Sequence, residues 1–114
     1  MAKLDHEQYV TDERKVTTNI GLFAAGEKIL KRVPIARLSA SGELKKWDAT
    51  ATDGTQNAIG LTVLDVDASS GAVESVYHDG GCFNPALIAW PVAATAEQKL
   101  ACFDGTSIAT KKVG

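Results

Sequence analysis

The stretch Ala58-Ile59-Gly60-Leu61-Thr62-Val63-Leu64-Asp65-Val66 does most to limit what this chain can become. Ile59, Leu61 and Val63 alternate with small or polar neighbours, the period of a half-buried strand. Turn-forming clusters bracket it, with Asp53-Gly54 inside the polar loop 48–57 before it and Asp67-Ala68-Ser69-Ser70-Gly71 after it. Such residues bend the chain because Asp and Ser bond nearby amides and Gly tolerates positive φ. The pattern predicts a hairpin in which Ala72 to Tyr77 pairs back. Residues 21–26 read as a loop. Lys28 to Leu38 reads as a strand with Val33, Ile35 and Arg37 on one face, and Pro34 confines it to an edge or a strand start. Ser39 to Gly42 is a turn, and Glu43 to Trp47 returns. His78-Asp79-Gly80-Gly81 reads as a further turn.

Two short helices are expected. Asn84-Pro85 is an N-cap followed by Pro at the first helical position. That helix runs over Ala86 to Trp90 and stops before Pro91, because the residue ahead of a proline avoids the helical region. A second helix is expected over 96–103. Thr95 caps it, Gln98 completes a capping box, Leu100 and Phe103 share a face, and Asp104-Gly105 ends it. Ile108 begins a last strand, and Lys111-Lys112 form a polar tail. The class expected is a β-rich α+β single domain with two short helices and an extended N-terminal arm. Its boundaries are 1–20 for the arm and 21–114 for the core.

The arm follows from a shortage of apolar bulk. The chain has 114 residues, and 17 of its apolar residues are Ala. Thirty-four are larger, and six of these (Met1, Leu4, Tyr9, Val10, Val16, Ile20) fall in the polar stretch 1–20. About 28 sizeable apolar side chains are left for a core, which is marginal for a domain standing alone. Self-association or a partner surface adds burial. Residues 1–20 cannot offset their own ordering entropy. Within them Val16, Thr17, Thr18 and Ile20 favour an extended conformation and suit addition to another sheet.

Net charge is −2, so a nucleic-acid footprint is not expected. Residues 1–47 carry nine basic and six acidic groups; residues 48–114 carry three and eight. The simple reading is solvated surface, and the sharper one is a basic front half facing an acidic partner. No run of about 18 apolar residues exists, so no membrane-spanning helix is expected. The charged N-terminus has no apolar h-region, so no secretory leader is expected. Cys82 and Cys102 are expected as free, buried thiols.

No catalytic set is found. His6 falls in the arm, where a geometry held to within about 1 Å is not available. His78 with Asp79 is half of a triad by composition, but no serine sits in a nucleophile-elbow context. His78 and Cys82 supply two metal ligands by spacing, whereas a structural zinc site needs four. Phosphate-binding glycine motifs are absent. Asp65 and Asp67 lack the further oxygen ligands of a calcium loop. No catalytic residue, cofactor or metal is expected, and the residues point to a binding or structural module.

The motifs then form a series. From Ile35 the chain reads I-A-R-L-S-A-S-G-E-L-K-K-W-D, followed by T-D-G at 52–54 and A-I-G-L at 58–61. Tyr77, Gly80, Phe83 and Trp90-Pro91 come next, then A-A-T-A-E-Q-K-L-A-C-F-D-G-T-S-I at 93–108. In order and spacing this resembles the head-decoration proteins of lambda-type bacteriophages over about 75 residues. The loop at 49–57 is longer than the family pattern, and residues 1–30 do not carry the resemblance.

The resemblance implies a homotrimer with a β-clip-like core and no enzymatic activity. It implies a virion protein, made in the host cytoplasm, on the outer surface of the expanded head at three-fold and quasi-three-fold positions. The partners implied are the major capsid protein and the protein itself, with no direct nucleic-acid or membrane contact. The arm, through Val16, Thr17, Thr18 and Ile20, is implied to contact the capsid. Trp47, Phe83, Trp90 and Phe103 carry the family pattern and are assigned to the core or the subunit interface, and Pro91 fixes the chain direction between the helices. The alternative, from a different class, is a small monomeric β-rich module that binds a peptide or a sugar.

Overall fold

The computed structural model describes residues 16–110, apart from residue 93. Eight strands, one 3-10 turn and one short helix follow in order: β1 (Thr17–Phe23), β2 (Lys28–Ile29), β3 (Pro34–Arg37), β4 (Leu44–Lys46), β5 (Ala58–Thr62), β6 (Val66–Asp67), β7 (Val73–Phe83), the 3-10 turn (Pro85–Leu87), α1 (Ala96–Ala101) and β8 (Ser107–Thr110). Five strands close on themselves in the order β1-β4-β3-β5-β7, and β7 pairs back with β1. The resemblance implies a β-clip-like core; the core observed is this small barrel. The closing ladder is long on one side and minimal on the other. β1 runs antiparallel to β7 from Thr17↔Gly80 to Phe23↔Val73, but meets β4 only at Phe23↔Leu44. β8 extends the sheet beyond the barrel by pairing parallel with Gly80 to Phe83.

Strand alternation sends neighbouring residues to opposite sides. On β3, Ile35 joins an inner cluster with Phe23, Ile29, Leu44, Val66 and Tyr77. Its neighbour Ala36 joins an outer cluster with Trp47, Leu61, Phe83, Ile88, Phe103 and Ile108. The 3-10 turn, α1 and β8 thus roof one outer face of the barrel and give the chain two small cores. Cys82 and Cys102 are both buried. Burial pushes the Cys102 thiol up to about 12, which removes it from thiolate chemistry near neutral pH.

Local expectations change at several points: the strand expected over 28–38 is split into β2 and β3 by a turn, and residues 21–23 of the expected loop belong to β1. The strand expected over 58–66 ends at Thr62, and β6 then pairs with β2 instead of continuing. The cause is Thr62 itself, which is fully buried. Its Oγ1 donates to Leu30 O (2.6 Å) and accepts from Val33 N (2.9 Å). Its carbonyl accepts from Arg32 N (3.0 Å), where φ is +62°. These bonds tie the strand end to the β2–β3 turn. A bulge opposite Ile35 and Ala36 also shifts the register, so Ile59 packs toward the inner cluster while Leu61 joins the outer one. The hairpin with the next strand shrinks to Leu61↔His78 and Thr62↔Tyr77.

The turn expected at His78-Asp79-Gly80-Gly81 is instead the continuation of β7. Gly80 makes room here, because a Cβ would lie 2.5 Å from Thr17 Oγ1. Of the two helices expected, one is found. Asn84 caps as expected, its Oδ1 accepting from Ala86 N (3.0 Å), but only the 3-10 turn forms. Ala89 N donates to Arg32 O (2.8 Å), and the Trp90 indole donates to Pro85 O (2.8 Å). Tertiary bonds have therefore taken the groups a longer helix needs, just ahead of Pro91. α1 forms with its full Thr95–Gln98 capping box and ends at Ala101.

Two substitutions test these points. Gly54 has φ +104°, and a Cβ there would lie 2.6 Å from Arg37 O. Gly54→Ala is expected to cost about 2–4 kcal/mol, whereas Gly71→Ala, in open space, is expected to be near neutral in denaturant titration. Thr62→Val keeps the shape but leaves Val33 N and Leu30 O short of a partner. It is expected to cost about 1–3 kcal/mol by the same measurement, with Thr62→Ser recovering part of the loss.

Candidate functional site: the open edge and outer face of β1

β1 is bonded along one edge only. Its other edge, from Thr17 to Leu22, has no strand partner among the described residues. An unpaired edge offers amide and carbonyl groups to any extended segment that can reach them. The amide of Ile20 is satisfied locally, donating to Asn19 Oδ1 (2.8 Å). That local bond blunts the edge at one position and leaves the rest open.

The outward side chains make the same strand apolar. Ile20 is 67% exposed and Leu22 is 42% exposed. Ile20 stands opposite Val76, and Thr18 stands opposite His78. The inward side is tightly packed. A Cβ on Gly21 would meet the Leu44 and Tyr77 side chains, and Phe23 is fully buried. The strand is therefore anchored by its inner face and presents its outer face.

The start of β1 is pinned as well. Thr17 Oγ1 donates to Asp79 Oδ1 at 2.6 Å, next to the irregularity between Thr17 and Thr18. Val16 lies beside Gly81. The described chain therefore emerges where β7 passes from its β1 pairing to its β8 pairing. Residues 1–15, most of the arm expected at 1–20, lie outside the described residues. The strand itself crosses the 20/21 boundary without a break.

Of the residues singled out by sequence, Val16, Thr17, Thr18 and Ile20 come together on this edge. Trp47, Phe83 and Phe103 are buried in the outer cluster instead, with Trp90 half-buried against it. Trp90 sits edge-on to Trp47 at 6.1 Å between centroids, with Lys99 Nζ 5.8 Å from its ring. Pro91 follows at the surface. Asp79, Leu22 and Val76 were not anticipated as companions of the arm residues. Only the β1–β7 register brings them there; the period-two spacing of Ile20 and Leu22 was the one signal available for Leu22.

His78 lies on this face, its ring 5.1 Å from that of Phe83. Burial lowers its pKa, and the neighbouring Asp79 opposes that shift. No group of His, Cys, Asp and Glu able to hold a metal ion is found among the described residues. The geometry can bind an extended partner.

The fold and this edge describe a small, strand-rich domain that presents a partly open, apolar strand at its surface. The family model for the bacteriophage lambda head decoration protein D matches residues 5–110, so the chain belongs to that family. The match reaches well before Ile35, where the motif series begins, and takes in the whole of β1. No curated protein matches the chain. Membership makes this a non-enzymatic structural protein of the virion, associated with the phage capsid.

The His78 shift has a consequence for stability. In the unfolded chain His78 titrates near its ordinary value of about 6.5, and in the fold it titrates lower. As pH falls below that ordinary value the unfolded chain takes up the proton first, so stability declines until the folded value is reached. Denaturant titrations at pH 7.5 and 5.5 are expected to show a smaller loss on acidification in His78→Gln than in the parent chain.

Proposed function

We propose that this protein is a capsid cement. Three copies bind as a trimer to the outer surface of the expanded phage head at three-fold and quasi-three-fold positions. There they stabilise the shell against the pressure of packaged DNA. Membership of the head decoration family over residues 5–110 carries this reading. Residues 1–20 act as the capsid-binding arm, with Val16, Thr17, Thr18 and Ile20 offering the open edge of β1 to the major capsid protein. No covalent chemistry and no cofactor is needed.

Physical considerations support the proposal. A trimer on a three-fold position uses one set of contacts three times. Three modest contacts held in one rigid body act together through effective concentration. A binding site assembled from neighbouring capsomers exists in one shell state only, which makes binding selective for that state.

Co-sedimentation with expanded and unexpanded capsids tests the reading. The full chain is expected to pellet with expanded shells only, at a stoichiometry that is a multiple of three. A chain lacking residues 1–15 and the variant Ile20→Asp are each expected to bind at least about tenfold more weakly, the loss of one or two well-placed contacts. Undiminished binding by both would remove the arm and edge from the mechanism. Failure of the full chain to bind any shell would remove the cement reading.

A further inference from the structure

An Asp-Gly pair is open to attack by the main chain on its own side chain, because glycine has no Cβ to hinder the approach of its nitrogen. The chain has three such pairs, Asp53-Gly54, Asp79-Gly80 and Asp104-Gly105. The fold holds two of them shut. Asp53 Oδ1 accepts from the Thr55 hydroxyl (2.5 Å) and amide (3.1 Å), and these bonds hold its carboxyl below the usual range, in the ionised form that resists attack. The Gly54 amide donates to Gln56 Oε1 (2.8 Å). Asp79 Oδ1 accepts from Thr17 Oγ1 (2.6 Å). Its glycine, Gly80, lies inside β7 and pairs with Thr17 on one side and Ser107 on the other.

Asp104-Gly105 is left open. It lies in the turn between α1 and β8, and both residues are exposed. Among the described residues, the Asp104 carboxylate accepts no hydrogen bond and the Gly105 amide donates none. Gly105 has φ +82°, and beyond its chain neighbours nothing lies within 4 Å of where a Cβ would stand. Asp104 N donates to Ala101 O (3.0 Å) and Thr106 N donates to Phe103 O (3.0 Å). The turn is therefore held at its ends, while the carboxylate and the amide that would react stay unengaged.

We propose that Asp104-Gly105 is the site at which the folded protein isomerises to isoaspartate, and that Asp53 and Asp79 are spared. The Gly105 nitrogen gives up its proton and attacks Cγ of the protonated Asp104 carboxyl. The N–Cγ bond forms and water leaves, closing a five-membered succinimide. A second water then opens the ring. Opening at Cγ restores aspartate. Opening at the main-chain carbonyl breaks its bond to nitrogen, leaves a free α-carboxylate and routes the chain through Cβ and Cγ. The product carries one more methylene in its main chain. That insertion falls inside the turn whose bonds, with Thr106 Oγ1 donating to Phe103 O (2.6 Å), set β8 against Gly80 to Phe83. Isoaspartate at 104 therefore loosens β8 and the roof over the outer cluster. The proposal does not rest on attachment to a capsid.

Incubation of the full chain in warm, mildly acidic buffer, below its melting temperature, tests this. Peptide mapping by mass spectrometry with electron-transfer fragmentation locates the isoaspartate. The product at 104 is expected to accumulate at least about tenfold faster than at 53 or 79. In guanidinium, with the chain unfolded, the three pairs are expected to react at similar rates, because the selectivity belongs to the fold. The aged protein is expected to melt lower. Asp104→Glu, whose ring would have six members and form slowly, is expected to keep its melting temperature through the same incubation. Accumulation at 53 or 79 as fast as at 104 in the folded chain overturns the proposal. So does a lack of product at 104 in the folded chain, or an equal preference for 104 in the unfolded chain. An unchanged melting temperature after conversion at 104 overturns the loosening of β8.

Discussion

The long strand β7 is the constraint on which the rest of the molecule depends. Its 11 residues serve three partners. One edge carries β1 along nearly its whole length, and the other carries β5 and then β8. Closure of the barrel, the roof over its outer face and the presentation of β1 all hang on this one strand. Two glycines near its end make that sharing possible. Gly80 pairs with both Thr17 and Ser107, and a Cβ there would crowd the Thr17 hydroxyl. The Thr17–Asp79 bond then locks the first strand to the same place.

The shortage of large apolar residues is met by division. The inner cluster closes the barrel with Phe23, Ile35, Leu44 and Tyr77, and the outer cluster gathers Trp47, Phe83 and Phe103 under the helical segment. Each is small, so buried polar bonds matter more than in a larger domain. Thr62 shows how. One hydroxyl ties Leu30 and Val33 to the end of β5, and the Thr62 carbonyl takes the amide of Arg32, which holds a left-handed conformation. The same economy leaves Ile20 and Leu22 at the surface, on the strand where partner contacts are proposed.

Local chemistry was legible in the sequence wherever a residue acts on its neighbours. The Thr95–Gln98 box, the Asn84 cap, Pro34 at a strand start and the Gly54 turn need only a few residues of context. His78 to Gly81 misled for the same reason. In a local frame two glycines mark a turn, yet here they lie within β7, where Gly80 pairs with both Thr17 and Ser107. The helix expected over 86–90 was lost to bonds with Arg32 and Pro85, 57 and 5 residues from their donors. Of the candidate site, the residues on β1 were named from their extended character. Asp79 and Val76 were not, because each arises from register and packing between distant segments.

By itself the sequence determined that this chain is small and strand-rich. Its ordered motifs pointed to the head decoration family. These follow from residue type and short spacing, which do not change with the path of the chain. Only the tertiary structure decided that β1 closes a barrel and that one of its edges, from Thr17 to Leu22, has no strand partner among the described residues. Those outcomes depend on which strands pair and in what register, and a shift of one residue would exchange every inward side chain for an outward one.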